Sequence, residues 1–334
     1  MSKKLLQGNH AVVEGAIAAG CKFFSAYPIT PASEIMHYMA KKKIGFLHAE
    51  DEIAGINIAI GASMAGVKAM TSTSGPGFSL KQEAIGFAHM TKTPLVIVDV
   101  QRVGPSTGMP TLPNQGDIMQ VKWGSHGDYF PIVFYPNSVQ ECYEYTQHAF
   151  NAAEDSLSPV ILLTDGFIGL MYESVDLDKI NLRVVPRTKK ALGEGAGHIA
   201  GILNKDGVPK TKDIAYFKVW MKEYKDRIKA AADNYNFYEY IKNEKSDTLI
   251  IAYGITSRVI MPLKTEYSIF RPIRIWPFLN ELKDIAKKYK RIVVIEMNEG
   301  QYVQEVERVL KQKVEFINCN GGHISLEEIK RQLE

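Results

Sequence analysis

The run Leu-Val-Ile-Val-Asp-Val at 95–100, preceded by Pro94, constrains the fold of this chain more than any other stretch. It is apolar on both faces and rich in β-branched residues, which suits a strand buried on both sides at the centre of a parallel sheet. Around it the pattern alternates. Asn9–Ala19 reads as an amphipathic helix, Cys21–Ala26 as a strand, Pro31 to about Lys42 as a helix and Ile44–Ala49 as a strand. A small-residue helix, Ile53–Gly66, is followed by a strand at Val67–Ser72, a turn at Ser74–Gly77 and a helix at Phe78–Met90. A helix at Ser138–Glu154 and a buried strand at Val160–Thr164 close the unit near Met171. Strands and helices alternating at this pace make a doubly wound α/β domain.

A chain of 334 residues has room for about two domains. The rhythm lapses over 175–245, which is polar, lysine-rich and poor in strands, with one convincing helix around Asp213–Asp233. It resumes from Thr248, with strands at Leu249–Tyr253, Arg271–Trp276, Ile292–Glu296 and Val314–Ile317. The chain divides accordingly into a first domain at 1–175, a linker arm at 176–245 and a smaller α/β domain at 246–334.

Composition excludes several classes of partner. A net charge of +3, with no basic block interleaved with aromatics, argues against nucleic acid and membrane surfaces. The two N-terminal lysines have no apolar stretch behind them, so no secretory signal is expected. Ile53–Met70 could pass for a membrane span, but it carries Asn57 and Lys68 and is built of Ala, Gly and Ser, as a helix packed closely on a neighbour is. The 3 cysteines, Cys21, Cys142 and Cys319, are isolated, without a CxxC. They can build neither a zinc site nor an iron–sulfur cluster, and they fit a reducing cytoplasm.

Four features could carry chemistry. The octapeptide Tyr27-Pro28-Ile29-Thr30-Pro31-Ala32-Ser33-Glu34 reads as a rigid strand–turn–helix corner. Pro28 bars Tyr27 from the helical region, Pro31 suits a first turn, and Thr30 is then the N-cap. Such a corner is either an anion cradle or an ordinary capped helix. The acidic triplet Glu50-Asp51-Glu52 opens the small-residue helix, where the dipole alone accounts for Glu50 and Asp51. Glu52 leads into the apolar face of Ile53, Ile56 and Ile60. A carboxyl desolvated there can be held protonated as a donor, or it can simply start the helix. Ser74-Gly75-Pro76-Gly77 matches no phosphate-loop pattern but makes a stiff element that a planar ligand could approach. Arg102, at the end of the central strand, is placed either to grip a substrate carboxylate or to pair with a surface acid. It opens an irregular stretch, Gln101–Asp128, of the kind that carries ligands at the carboxyl edge of a doubly wound sheet. His126 within it reads as structural.

The order of these motifs resembles a known family. Tyr-Pro-Ile-Thr-Pro at 27–31, Glu-Asp-Glu at 50–52, Thr-Ser-Gly-Pro-Gly at 73–77, Gln-Arg…Gly-Pro-Ser-Thr-Gly at 101–108 and Gln-Gly-Asp at 115–117 look like the α subunit of 2-oxoacid:ferredoxin oxidoreductases. Tyr-Gly-Ile-Thr-Ser-Arg at 253–258, Trp-Pro-Phe at 276–278 and Glu-Met-Asn-Glu-Gly-Gln at 296–301 extend the likeness over nearly the whole chain. The stretch from Ser106 to Asp117 most resembles the 2-oxoglutarate branch, with pyruvate and branched-chain relatives as alternatives.

The resemblance implies a pyrimidine-type thiamine diphosphate-binding domain followed by a smaller domain like the C-terminal domain of transketolase. Glu52 matches the glutamate that hydrogen-bonds the pyrimidine ring nitrogen of the cofactor. Thr30 and Arg102 map onto the positions that receive the 2-oxoacid, and Tyr27, Pro28, Ile29, Gly75, Pro76 and Gly77 onto the cofactor's surroundings. The family's diphosphate and magnesium motif is missing from the sequence, and the chain holds no metal site of its own. A β subunit is therefore expected to bring the diphosphate site, Mg2+ and a [4Fe–4S] cluster, with γ and δ subunits, ferredoxin and coenzyme A as further partners. The chain departs from the family pattern in a short Ser257–Arg271 stretch and a short lysine-rich arm. The rival from another class is a non-catalytic subunit that only assembles partners.

Overall fold

The computed structural model describes residues 3–180, 182–194, 201–204 and 206–334. In chain order its strands begin with β1 (Lys3–Gln7), β2 (Phe23–Ala26), β3 (Gly45–His48), β4 (Ala69–Thr73) and β5 (Leu95–Val103). Next come β6 (Met109–Pro113), β7 (Ile132–Phe134), β8 (Pro159–Asp165), β9 (Tyr172–Asp176) and β10 (Tyr238–Ile241). The last are β11 (Thr248–Ile251), β12 (Ser268–Pro272), β13 (Arg274–Trp276), β14 (Arg291–Glu296) and β15 (Glu315–Asn318).

The β-branched run is the centre of the large sheet, as its composition requires. That sheet has the order β13-β7-β8-β5-β4-β2-β3, with β6 paired to the end of β5. β5 pairs in parallel with both β4 and β8, and Leu95, Val96, Ile97, Val98 and Val100 are all buried. Helices fill the crossovers: Gly8–Ala18 packs against Val139–Ser156, and Glu52–Met64 against Gln82–Met90. This is a doubly wound α/β domain. The Gln101–Asp128 stretch is less irregular than its composition suggests, because β6 folds back antiparallel on β5.

The second sheet has the order β10-β12-β11-β14-β15, parallel except for the edge strand β10. The residues of β11 alternate in the expected way. Leu249 and Ile251 join the core shared with the large sheet, while Ile250 faces a smaller core closed by Ile329 and Leu333 of the last helix.

The sequence reading makes Arg271–Trp276 a single strand of the second domain, and the structure divides it. Ser268–Pro272 pairs in parallel with β11, whereas Arg274–Trp276 crosses to pair antiparallel with β7, the free edge of the large sheet. The Trp276 indole N–H, donating to the Ile118 carbonyl at 2.9 Å, seals that crossing. One short segment thus belongs to both sheets and ties them together. β1 and β9 form a separate antiparallel ribbon, which the pattern of Lys3–Gln7 does not announce.

Within 176–245 the chain is pinned to the first unit. Asn151 donates to the Arg183 carbonyl at 2.9 Å, Lys68 to the Val185 carbonyl at 2.6 Å, and Lys189 to the Thr91 carbonyl at 2.7 Å. The helix Ile214–Asp233, capped by the Asp213 carboxylate on the Tyr216 N–H, buries Trp220, Tyr224 and Ile228. Among the described residues, no helix is long and apolar enough to cross a membrane, and Ile53–Met64 lies within a helix of the α/β layer.

Candidate active site

The corner after β2 differs from its sequence reading in one respect. The helix behind it spans Ser33–Met39 with Ala32 at the N-cap position, so Thr30 is not the cap. A tight turn intervenes, in which the Ala32 N–H donates to the Ile29 carbonyl at 2.8 Å, and the Thr30–Pro31 peptide is cis. Thr30 is exposed, and its carbonyl accepts a hydrogen bond from Arg102 Nη1 at 2.7 Å. Tyr27 is exposed, with its ring tilted against His48, while Pro28 and Ile29 are half-buried.

The acidic triplet divides its labour. Glu50 is exposed, and Asp51 is the N-cap of Glu52–Met64, its Oδ1 accepting the Ala54 N–H at 2.7 Å. Glu52 turns inward and is 7% exposed. Its carboxyl rests on Gly77: a Cβ there would stand 2.6 Å from Glu52 Oε1 and 2.2 Å from Thr73 Oγ1. Only glycine allows that approach.

Gly77 belongs to a helix, Gly75–Leu80, rather than to the turn that its glycines and proline suggest. Pro76 sits in the first turn, where its missing N–H is no loss. Gly75 and Gly77 separate two acids, since a Cβ on Gly75 would lie 3.2 Å from Asp117 Oδ2.

Lys81 went unnoticed in the sequence. It stands where Gly75–Leu80 gives way to Gln82–Met90, and its side chain is fully buried. Its amine donates to the Glu52 carbonyl at 3.2 Å and to Thr71 Oγ1 at 3.1 Å. Burial pushes its pKa down to about 8 against the opposing pull of the Glu52 and Asp51 charges. The available signal was a lysine in helical register with buried Phe78 and Ile85.

Arg102 is 8% exposed, and its Nε has no partner. Burial lowers its basicity, while Asp117 and then Glu52 support its charge. Asp117 comes from the Gln-Gly-Asp loop, its N–H donating to Gln101 Oε1 at 2.9 Å. Its carboxyl is half-buried, that of Asp99 is fully buried, and the two act on each other. Burial pushes both pKa values upward, that of Asp117 to about 6, and the charge of Asp117 raises Asp99 further. Each carboxylate so placed makes the other harder to ionise.

These residues border a cavity of 510 Å³ whose lining includes Gly75, Pro76, Arg102, Asp117, Asn298 and Asn320. Of the site residues chosen from sequence, Gly75, Pro76 and Arg102 line it. Thr30 reaches it through Arg102, Glu52 and Gly77 meet on the other side of the Gly75–Leu80 helix start, and Tyr27, Pro28 and Ile29 are not among its lining residues. His126 stays outside, exposed, 3.5 Å from Glu83.

The far wall is the second unit, and the motifs explain its placement. Glu296, buried and pushed upward in pKa by that burial, accepts the Tyr302 and Val303 N–H groups at 2.9 and 2.8 Å. Asn298 donates to the Gln115 carbonyl at 2.8 Å, and Gln301 Oε1 accepts the Met119 N–H at 2.9 Å. Gln115 in turn donates to the Tyr253 carbonyl at 2.9 Å and accepts the Thr256 hydroxyl at 2.9 Å. The Gln-Gly-Asp and Glu-Met-Asn-Glu-Gly-Gln motifs therefore lock each other.

Chemically, the arrangement offers a buried acid backed by a glycine, a half-satisfied guanidinium and a flat helix start between them. These fit the pyrimidine half of thiamine diphosphate and a carboxylate substrate. Among the described residues, no group of three His, Cys, Asp or Glu side chains gathers as metal ligands.

Known proteins place the chain in a family. The family model for pyruvate flavodoxin/ferredoxin oxidoreductase, thiamine diphosphate-binding, matches residues 14–243, and the pyruvate:ferredoxin oxidoreductase core domain II model matches 246–329. The 2-oxoglutarate synthase subunit KorA of Methanocaldococcus jannaschii is 40% identical over 99% of each chain. That of Archaeoglobus fulgidus is 41% identical over 100% of this chain and 99% of its own. The ketoisovalerate oxidoreductase subunit VorB of Methanothermobacter marburgensis is 35% identical over 100% and 97%. Among solved structures, the 2-oxoglutarate:ferredoxin oxidoreductase from Magnetococcus marinus with 2-oxoglutarate, coenzyme A and succinyl-CoA bound superposes with a TM-score of 0.88 at 31% identity. The match covers 99% of this chain and 64% of that one. A split gene transketolase, at 13% identity and a TM-score of 0.54, shares the fold alone.

Proposed function

The chain belongs to the thiamine diphosphate-binding subunits of the pyruvate flavodoxin/ferredoxin oxidoreductase family, and from that premise we propose that it is the α subunit of a heteromeric 2-oxoglutarate:ferredoxin oxidoreductase. In this reading 2-oxoglutarate and coenzyme A become succinyl-CoA and carbon dioxide. The electron pair released passes to ferredoxin, and the same site carries out the reverse carboxylation. The observation that carries the choice of substrate is the full-length similarity to subunits named for 2-oxoglutarate, stronger than that to the ketoisovalerate subunit.

Thiamine diphosphate, when bound, supplies the electron sink for decarboxylation. This chain supplies orientation and charge. Glu52 hydrogen-bonds the pyrimidine ring nitrogen, and its contact with Gly77 fixes the carboxyl from behind. Gly75, Pro76 and Gly77 offer the flat ring a stiff surface of two glycines and one apolar proline ring, with Tyr27, Pro28 and Ile29 at its rim. Arg102, one of whose Nη atoms is held by the Thr30 carbonyl while its Nε is free, grips the 2-oxoacid carboxylate, and the Thr30 hydroxyl meets the keto end. Holding the reactant in this way contributes through proximity and preorganised charge.

The remaining parts are assigned to partners: a β subunit with the diphosphate site, Mg2+ and a [4Fe–4S] cluster, together with γ and δ subunits. What supports this is the missing diphosphate motif, three isolated thiols and large apolar side chains left exposed near Glu52, namely Ile53, Leu80 and Leu47. Free thiols also suit a cytoplasmic location. The test is Glu52→Ala in the reconstituted complex, with a loss of at least about 100-fold in 2-oxoglutarate-dependent viologen reduction expected. Activity retained within a few-fold would leave this chain an assembly subunit.

A further inference from the structure

We propose that Asn9 is a positioning residue for the 2-oxoacid site: its side-chain amide fixes the turn that presents Thr30. The proposal rests on the reading of Thr30 and Arg102 as the residues that meet the substrate. Three successive peptides of the corner are held in place. The Ile29 carbonyl accepts the Ala32 N–H at 2.8 Å, the Thr30 carbonyl accepts Arg102 Nη1 at 2.7 Å, and the Pro31 carbonyl accepts Asn9 Nδ2 at 2.8 Å. Because each peptide is planar, the three bonds leave the backbone around Thr30 little rotation, and its exposed side chain takes one direction.

Asn9 anchors this arrangement. Without it the turn would hang on Arg102, the same guanidinium that must reorganise around a carboxylate. Asn9 is fully buried and stands in the first turn of Gly8–Ala18. Two glycines let that helix start sink against the helix Gly166–Leu170. A Cβ on Gly8 would stand 2.0 Å from the Ile168 carbonyl oxygen, and one on Gly169 would stand 2.8 Å from Asn9 Oδ1 and 3.1 Å from Val100 Cγ1. Val100 and Arg102, two apart on β5, share one side of that strand. The amide and the guanidinium therefore take their positions from the same strand.

Stability does not single out an asparagine here. Its Oδ1 is buried without a hydrogen-bond partner. A leucine of the same length would leave one acceptor unpaired instead, the buried Pro31 carbonyl. Either way one buried acceptor goes without a partner, so the two side chains are close to balance for folding. What the asparagine adds is direction. An N–H aimed at one carbonyl holds the turn in a single orientation, which the packing of a leucine does not. A shift of about 1 Å in the turn carries the Thr30 hydroxyl with it, enough to cost on the order of 10- to 100-fold in rate.

The experiment uses the reconstituted complex. Steady-state kinetics give kcat and KM for 2-oxoglutarate, a thiamine diphosphate titration gives cofactor affinity, and hydrogen exchange follows the Ala32 N–H of the turn. Asn9→Leu is expected to raise KM by about tenfold or more while cofactor affinity stays within about twofold and Tm nearly in place. Exchange at Ala32 should quicken. Asn9→Asp donates to the Pro31 carbonyl from a protonated carboxyl and repels it once ionised. Its KM should therefore lie well below that of Asn9→Leu at about pH 6. Gly169→Ala, which presses on Asn9 Oδ1 without deleting the bond, should raise KM in the same direction. Wild-type KM in Asn9→Leu overturns the proposal. So does a loss shared equally by cofactor affinity, the mark of a general structural defect. Where Asn9→Leu does not assemble, wild-type KM in Gly169→Ala overturns it, as does an Asn9→Asp KM raised equally at every pH. Thr30→Val separates the two readings: KM unchanged there takes the corner out of the substrate site, whereas KM raised there with Asn9→Leu unaltered removes only Asn9.

Discussion

Replacing Gly77 by alanine tests whether the Glu52 carboxyl depends on the glycine behind it. The added Cβ would fall 2.2 Å from Thr73 Oγ1 and 2.6 Å from both Cγ and Oε1 of Glu52. Contact between such atoms begins near 3.4 Å, so something must move by about an ångström. Thr73 is on β4, fully buried and paired with Asp99 of β5, and has little room. The Glu52 side chain is the softer neighbour and gives way first. Overpacking of this kind costs about 1–3 kcal/mol. A displacement of the acid by about 1 Å costs on the order of 100-fold in rate. The assay is kcat and KM for 2-oxoglutarate in the reconstituted complex, with cofactor affinity and Tm measured on the same preparation. We expect a loss of about 100-fold in kcat, a weaker cofactor complex and a Tm lower by a few degrees. Thr73→Ala added to Gly77→Ala relieves one clash and leaves the other, so it should restore Tm more than activity. Gly77→Ala with wild-type kcat and cofactor affinity would refute the argument that Glu52 is held by this contact.

Other expectations follow from the same geometry. Arg102→Lys keeps the charge but loses the fork, and should lower kcat/KM for 2-oxoglutarate by about 10- to 100-fold, mainly through KM, in steady-state assays. Burial pushes the Asp117 carboxyl up to about 6, above the ordinary carboxylate range, so in that window the folded state binds more protons than the unfolded chain. Its contribution to stability is present at low pH and is lost as pH rises through about 4 to 6; Asp117→Asn should flatten Tm against pH over that range. Gln115→Ala removes bonds to Tyr253, Thr256 and Met297 and should cost about 2–4 kcal/mol in denaturant unfolding, with the second sheet loosened more than the first in hydrogen exchange.

Much of the fold is written in local pattern. β5 is legible because a strand buried on both faces needs a continuous apolar run, and the strand at Leu249–Tyr253 is legible for the same reason, although its division between two cores is not. What escaped depends on remote partners. Lys3–Gln7 is polar at its start and becomes a strand only because Tyr172–Asp176 lies beside it. The break at Ile273 exists because β7 presents a free edge on the other sheet. Thr30 looks like a cap from its neighbours, yet the turn at Ile29–Ala32 moves the helix start two residues on. For the candidate site, motif order singled out Glu52, Arg102 and the Gly-Pro-Gly segment. The contacts that make them a site, Glu52 on Gly77, Asp117 on Gly75 and Lys81 beneath Glu52, join segments that only the folded sheet brings together.

The most direct measurement is the initial rate of viologen reduction by the complex assembled from this chain and its partner subunits, with 2-oxoglutarate, pyruvate and 2-oxoisovalerate compared at equal coenzyme A. The account predicts the highest kcat/KM for 2-oxoglutarate, by at least about tenfold, with no turnover by this chain alone. A higher kcat/KM for pyruvate or 2-oxoisovalerate, or turnover by the isolated chain, would contradict it.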